Sequence, residues 1–228
     1  MVDKIYAVDK IYIVDIGKGE IVMSAFLGPI HHWLYEKIKL QQQLVEEVIS
    51  LAKDKGITDL ESRLNSTYGT FDSRPLEEII DENNIHGWLQ DKVSRVEYKL
   101  AEGVTQLLTE NVVAIDELEN IFYKSGEVLG ESLAREEGLT VPGVYKAISD
   151  SLLDGMPCDH AMQLIKQEVD EVVWKRVICV HERYWKEVGG DIQNYYELRK
   201  AWLKGLARAV GLTFKEQDKN TYVLKRGE

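Results

Sequence analysis

Five histidines are spread along the 228-residue chain, and two of them stand in matching surroundings. Ile30-His31-His32-Trp33-Leu34-Tyr35-Glu36-Lys37 returns as Ile85-His86-Gly87-Trp88-Leu89-Gln90-Asp91-Lys92, offset by 86 − 31 = 55 residues. Ile, His, Trp, Leu and Lys recur in register, with an acid before each Lys. Imidazole changes charge near neutral pH and serves as general acid, general base or metal ligand. The repeat predicts two equivalent helices packed about a local pseudo-twofold, with His31 and His86 facing one hollow beside Trp33, Trp88 and His181. His31, His86 and His181 are therefore the candidate catalytic residues. An apolar, aromatic hollow with a few polar groups is the usual form of a small-molecule site. This reading expects an enclosed cavity lined by at least two of the three. The competing reading is that His and Trp near a helix start simply pack the adjacent loop.

Metal chemistry leaves a weaker trace. His32 and Glu36, at i and i+4, place two ligand types on one helical face and are the candidate metal ligands. The residues three before His31, His32, His86, His160 and His181 include no glutamate, so the Glu-x-x-His pairs of di-iron bundles are missing. His-Glu-x-x-His and Cys-x-x-Cys are missing too. His86 and Glu97 share a side of their helix, but eleven residues is ~16 Å of rise, too far for one coordination sphere. The cofactor is unassigned, and a divalent metal is one that this pattern admits. Cys158 follows Pro157 at an expected helix start, where the dipole favours thiolate, yet its neighbours Asp159 and His160 point away from it on a helix. Cys179, between Ile178 and Val180, reads as core. Gly17-Lys18-Gly19 is a turn rather than a phosphate loop, which needs a longer spacing.

These residues need elements to hold them. The fold class expected is mainly α: a multi-helix bundle with the duplicated helix at 30–49 and 85–104, plus a small antiparallel β-sheet. The sheet is expected from hairpins at the two ends. Lys4–Val8, Lys10–Val14 and Glu20–Met23 are rich in β-branched and aromatic residues, as are Leu212–Lys215 and Thr221–Leu224. Pro29 opens the first long helix and Gly56 ends it. Ile30, Leu34, Ile38, Val45, Val48, Ile49 and Ala52 form its apolar face. Gln41 lies in the middle of that face and Lys37 near its edge. The second copy repeats the face with Ile85, Leu89, Val93, Val96, Leu100, Val104 and Leu107. Residues 58–73 between the copies read as a polar, turn-rich connection, followed by a short helix from Pro75.

Asn84 is the expected cap of the second long helix and an Asp116–Glu119 capping box that of the third. In the third helix Gly126, Gly130 and Ala134 form a smooth ridge for a close-packed helix or a ligand. Its segment Tyr123-Lys124-Ser125-Gly126-Glu127-Val128-Leu129-Gly130 resembles a helix of the 4-vinyl-reductase-like ligand-binding domains over those few residues. No residue role follows from it. A shorter helix over 144–153 stops at Asp154-Gly155. A long central helix is then predicted from Pro157 through Val188, apolar on two sides, one carrying Met162, Ile165, Val169, Val172 and Val173, the other Trp174, Ile178, His181 and Trp185. Gly189-Gly190 breaks it, and Asp191 caps the last helix, which ends at Gly211.

Hydrophobic content of 44%, charged content of 29% and only four prolines suit one globular domain over 1–228, with a helical body at 29–210 and hairpin segments at 1–25 and 212–226. The net charge of −11 opposes binding to nucleic acid or an anionic membrane, which need cationic surface. No apolar run approaches a bilayer span, and Met1–Lys10 lacks the pattern of a signal peptide. Two cysteines make no disulfide framework, so the location expected is cytoplasmic. The expected partners are a small-molecule ligand and, for self-association, a homodimer. Two functions stay open: a helical enzyme of hydrolase or lyase type acting at an internal His- and Trp-lined site, or a non-catalytic regulatory or interaction protein.

Overall fold

The computed structural model describes residues 27–227, so the hairpin segments expected over 1–25 lie outside the described residues. Within them are eight α-helices: α1 (Pro29–Asp54), α2 (Leu60–Tyr68), α3 (Leu76–Ile79), α4 (Ile85–Thr109), α5 (Ile115–Leu133), α6 (Val141–Ser151), α7 (Glu182–Glu187) and α8 (Ile192–Ala209). Four strands, β1 (Met162–Gln167), β2 (Glu171–Arg176), β3 (Leu212–Asp218) and β4 (Thr221–Arg226), form one antiparallel sheet in the order β1-β2-β4-β3. None of the described helices is long and apolar enough to cross a membrane.

The long helices begin and end where local chemistry dictates. Pro29 occupies the first turn of α1, where its missing N–H costs no hydrogen bond. The Gly28 N–H is taken by His31 Nδ1 at 2.9 Å. At the far end Gly56 adopts φ +90°, a conformation that favours glycine, and the Ile57 N–H returns to the Ala52 carbonyl. Asn84 Oδ1 caps α4 through the Gly87 N–H, and Asp191 Oδ1 caps α8 through the Gln193 N–H. The cap of α5 falls two residues earlier than the sequence suggests, with the Glu117 carboxylate accepting from the Ala114 N–H.

α1 and α4 lie against each other. Leu34, Ile38, Leu89, Val93 and Val96 join one buried cluster, and Val45, Val48, Leu100 and Val104 join the other. Each such side chain contributes about 1.5–3 kcal/mol of burial. The ridge on α5 serves helix packing. A Cβ on Gly126 would stand 2.0 Å from the Trp202 carbonyl oxygen, and one on Gly205 of α8 would stand 2.0 Å from that of Tyr123. The connection expected over 58–73 is half helix instead, because Leu60 and Leu64, a turn apart in α2, both reach the core.

The largest departure is the predicted central helix, which is absent. Residues 162–176 form the β1–β2 hairpin, and of the stretch from Pro157 to Val188 only the 3-10 turn Pro157–Asp159 and α7 are helical. Val172 and Trp174 each fit one of the two helical stripes and also fit alternation along a strand. The tertiary context selects the strand: Val172 pairs with Leu224 and Trp174 with Tyr222 across β4, while Phe214 of β3 pairs with the same Leu224. Trp174 also meets Tyr145 of α6 at 5.2 Å between ring centroids. Ile165, Val169 and Ile178, placed by the helical reading on buried stripes, are exposed. The sheet is thus completed on the C-terminal hairpin by 162–176.

Candidate functional site

Buried polar groups from α1, α4, α8 and the turns beside α6 and α7 line up as one seam through the core. It starts on α1, where Trp33, Lys37 and Gln41 follow one another at i, i+4 and i+8 and so share a face. Trp33 Nε1 donates to Asp150 Oδ1 of α6 at 2.9 Å. The Lys37 ammonium sits 3.6 Å from the centroid of the Trp33 ring. Gln41 Nε2 donates to Glu97 Oε1 of α4 at 3.0 Å. The second oxygen of Glu97 lies 3.0 Å from His181 Nδ1. On the other side of that imidazole, Nε2 is 3.7 Å from Asp154 Oδ1. Asp154 in turn receives both terminal nitrogens of Arg199, at 2.8 and 3.0 Å. Tyr195, one turn before Arg199 on α8, stacks on His181 with 4.0 Å between ring centroids.

Glu97 and His181 are each 1% exposed, Arg199 3% and Lys37 5%. Charges this deep persist only when partners replace the lost water. Asp154 lies in the turn after α6, where Gly155 at φ +76° reverses the chain. Burial opposes its ionisation, but the Arg199 guanidinium and His181 outweigh burial and hold the carboxyl well below the usual range. Burial likewise opposes the His181 imidazolium, yet the Glu97 and Asp154 carboxylates raise it to about 9. Both ring nitrogens then carry protons, and His181 at neutral pH is a locked cation rather than a free base. Arg199 is held charged by Asp154 despite its burial.

Lys37 is the exception. Burial lowers its ammonium to about 8; Asp154 and Asp150 resist that shift and Arg199 adds to it. No hydrogen bond or ion pair reaches Lys37 among the described residues, and its ammonium rests against the Trp33 ring. The cation–π contact returns part of the lost solvation. Arg199 Nε is also buried without an acceptor. The seam therefore has donors to spare.

The histidines expected to share a hollow divide between two places. His31 and His86 do meet, in the first turns of α1 and α4, with ring centroids 5.4 Å apart and planes at 89°. His31 Nδ1 accepts from Gly28, which leaves the proton of the neutral ring on Nε2. Burial, then the neighbouring His86 and His32, lower its pKa. His86 Nε2 is buried without a partner among the described residues. His181 belongs to the seam, which meets α4 at Glu97, ~16 Å of helix rise from His86.

Two clefts, of about 300 Å³ between α5 and α8 and about 240 Å³ beside the start of α6, are lined by none of the three histidines. His32 stands 3.5 Å from Glu77, and Glu36 is bonded to Lys39. No group of three or more His, Cys, Asp or Glu side chains among the described residues is placed to hold a metal ion. Cys158 is exposed in the turn Pro157–Asp159, and Cys179 Sγ accepts from the Tyr196 hydroxyl.

Lys37 and Gln41 announced the seam as polar residues on an apolar helical face. Arg199 carries the same signal inside the stripe Tyr195, Arg199, Trp202 and Leu206, which the sequence analysis does not single out. Asp154, in a turn next to glycine, has no such signal. Comparison with protein-family models, with curated proteins and with solved structures found no match to this chain.

Proposed function

We propose that this chain binds a small acidic molecule where the buried seam ends at Lys37 and Trp33. One observation carries the reading: Lys37, only 5% exposed, forms no ion pair among the described residues and sets its ammonium against the Trp33 ring. Lys37, Arg199 and His181 supply three cations, and Glu97 and Asp154 two carboxylates. Asp150 is already engaged by Trp33 and Lys146. A small carboxylate or phosphate beside Lys37 would balance the set and supply that ammonium with acceptors. The half-buried Trp33 is then the natural cover of the site. Acid–base chemistry of lyase or hydrolase type is within reach of an amine near neutrality, but His31 and His86 are too far along the helices to share it with His181.

Thermal unfolding in the presence of lactate, acetate and inorganic phosphate tests the reading. Saturation at a hundred times the dissociation constant stabilises by about 2.7 kcal/mol. The response is expected with at least one of these anions and should vanish in Lys37→Met. If no small anion stabilises the wild-type protein, the reading fails.

A second reading, a non-catalytic interaction protein, is favoured by the exposed Leu164, Ile165, Val177 and Ile178 on and beside the edge strand β1. A cytoplasmic location suits either reading, both cysteines being free. The pairing of His31 with His86 at matching first-turn positions supports the internal duplication of 30–49 and 85–104.

A further inference from the structure

We propose that strand β1 is the contact of a homodimer, in which two copies of this chain pair their β1 edges antiparallel across a twofold axis. The proposal rests on the interaction reading above and names its partner. β1 is hydrogen-bonded to β2 on one side only among the described residues, so its other side offers a row of unpaired backbone groups. Of the seven large hydrophobic side chains exposed among the described residues, five lie on or beside this edge: Leu164, Ile165, Val169, Val177 and Ile178. A bulge leaves Ile165 without a counterpart on β2. The one charge in β1, Lys166, is tied back by Glu168 and Glu171 of its own hairpin. The opposite edge of the sheet is guarded, because the exposed residues of β3 are Lys215, Glu216, Gln217 and Asp218. Pairing through β1 therefore closes at two copies.

A second copy is the occupant because the edge is complementary to itself when reversed. With the axis between Leu164 and Ile165, these two meet across the seam, Gln163 meets Lys166 and Met162 meets Gln167. No like charges then stand opposite each other. The same rotation carries the hairpin tip of one copy to the far end of the other copy's edge. There Val169 comes level with Val177 and Ile178, since the Val177 N–H bonds the Ala161 carbonyl just before β1. The charges match in the same sense: the tip carries Glu168, Asp170 and Glu171, and the far end of the hairpin carries Lys175 and Arg176. A parallel pairing would instead set acidic tip beside acidic tip. An apolar patch on the order of a few hundred Å² falls short of the ~800 Å² per partner of a tight complex. The net charge of −11 on each copy also opposes association. The dimer is therefore weak and reversible, forming at micromolar concentration and above.

Sedimentation velocity of the full chain, from low micromolar to submillimolar concentration at physiological salt, is the test. The expected result is a reversible rise from the mass of one chain to that of two. Ile165→Lys, which puts two cations at the centre of the seam, should hold the chain at one copy throughout. Val169→Lys should weaken the dimer by roughly tenfold or more, the scale of one apolar side chain lost from an interface. Val169 is 73% exposed in a turn, so this second variant keeps the test sound if the first is poorly folded. Val128→Lys, on the exposed side of α5, should associate as the wild type does. A wild-type chain that stays monomeric at every concentration overturns the second copy and leaves the interaction reading to a foreign partner. A dimer that survives both edge variants, or that Val128→Lys also abolishes, overturns pairing through β1.

Discussion

His31 and His181 are buried to nearly the same degree, 3% and 1% exposed, yet their proton affinities move in opposite directions. His31 lies edge-on to another imidazole, and desolvation, reinforced by His86, lowers its pKa. His181 lies between two carboxylates, which overcome a larger desolvation and raise its pKa to about 9. Burial alone sets no protonation state; the nearest charges decide it. One end of the α1–α4 pair therefore keeps a neutral histidine, while a charged one, brought in from the start of α7, sits against the middle of α4.

The strongest way to break this contrast is to remove the charged ring. His181→Gln leaves Glu97 and Asp154 without the cation between them, and a loss of about 3–5 kcal/mol in urea unfolding is expected. The wild-type pH profile carries the same signature. His181 is raised in the folded state, so its contribution is complete below pH 6.5 and is lost as pH climbs through about 9. His181→Gln should lack that decline. A variant that unfolds at the wild-type denaturant midpoint would show that the seam is not the ion network described.

Lys37→Met is the next largest change, with the opposite sign. The ammonium is lowered in the folded state, so it costs stability below pH 8, and that cost is relieved between about 8 and 10.5. Its replacement should stabilise the protein at pH 7 by roughly 1–3 kcal/mol, while the gain disappears above pH 10. Destabilisation at neutral pH would mean that Lys37 has a counterion after all.

The smallest effect sharpens the neutral end. His86→Phe keeps an aromatic ring against His31 and removes an ionisable neighbour, so the His31 titration followed by NMR should move upward. Stability at pH 7 should change by less than about 1 kcal/mol, since no ion pair is lost. An unmoved His31 titration would assign its lowered pKa to desolvation and His32, without His86.

Pro29, Asn84, Asp191 and Gly56 were legible as helix ends because a cap or a turn is decided within about four residues. The apolar faces of α1 and α4, and the chemical oddity of Lys37 and Gln41 on one of them, were legible for a similar reason. A 3.6-residue period is local and survives any tertiary arrangement. The meeting of His31 with His86 was also foreshadowed, through the matched positions of two similar segments.

What the chain alone left open was decided by partners far away in sequence. Val172 and Trp174 satisfy a helical and a strand period alike, and Tyr222 and Leu224 of β4 tipped them into the sheet. Gln41 finds Glu97 across 56 residues and Asp154 finds Arg199 across 45, so no window of sequence contains the seam. The charge of a buried histidine is a sum over such neighbours. Composition and periodicity name the titratable residues, but only the folded chain brings two carboxylates to His181 and gives Lys37 no direct ion pair among the described residues.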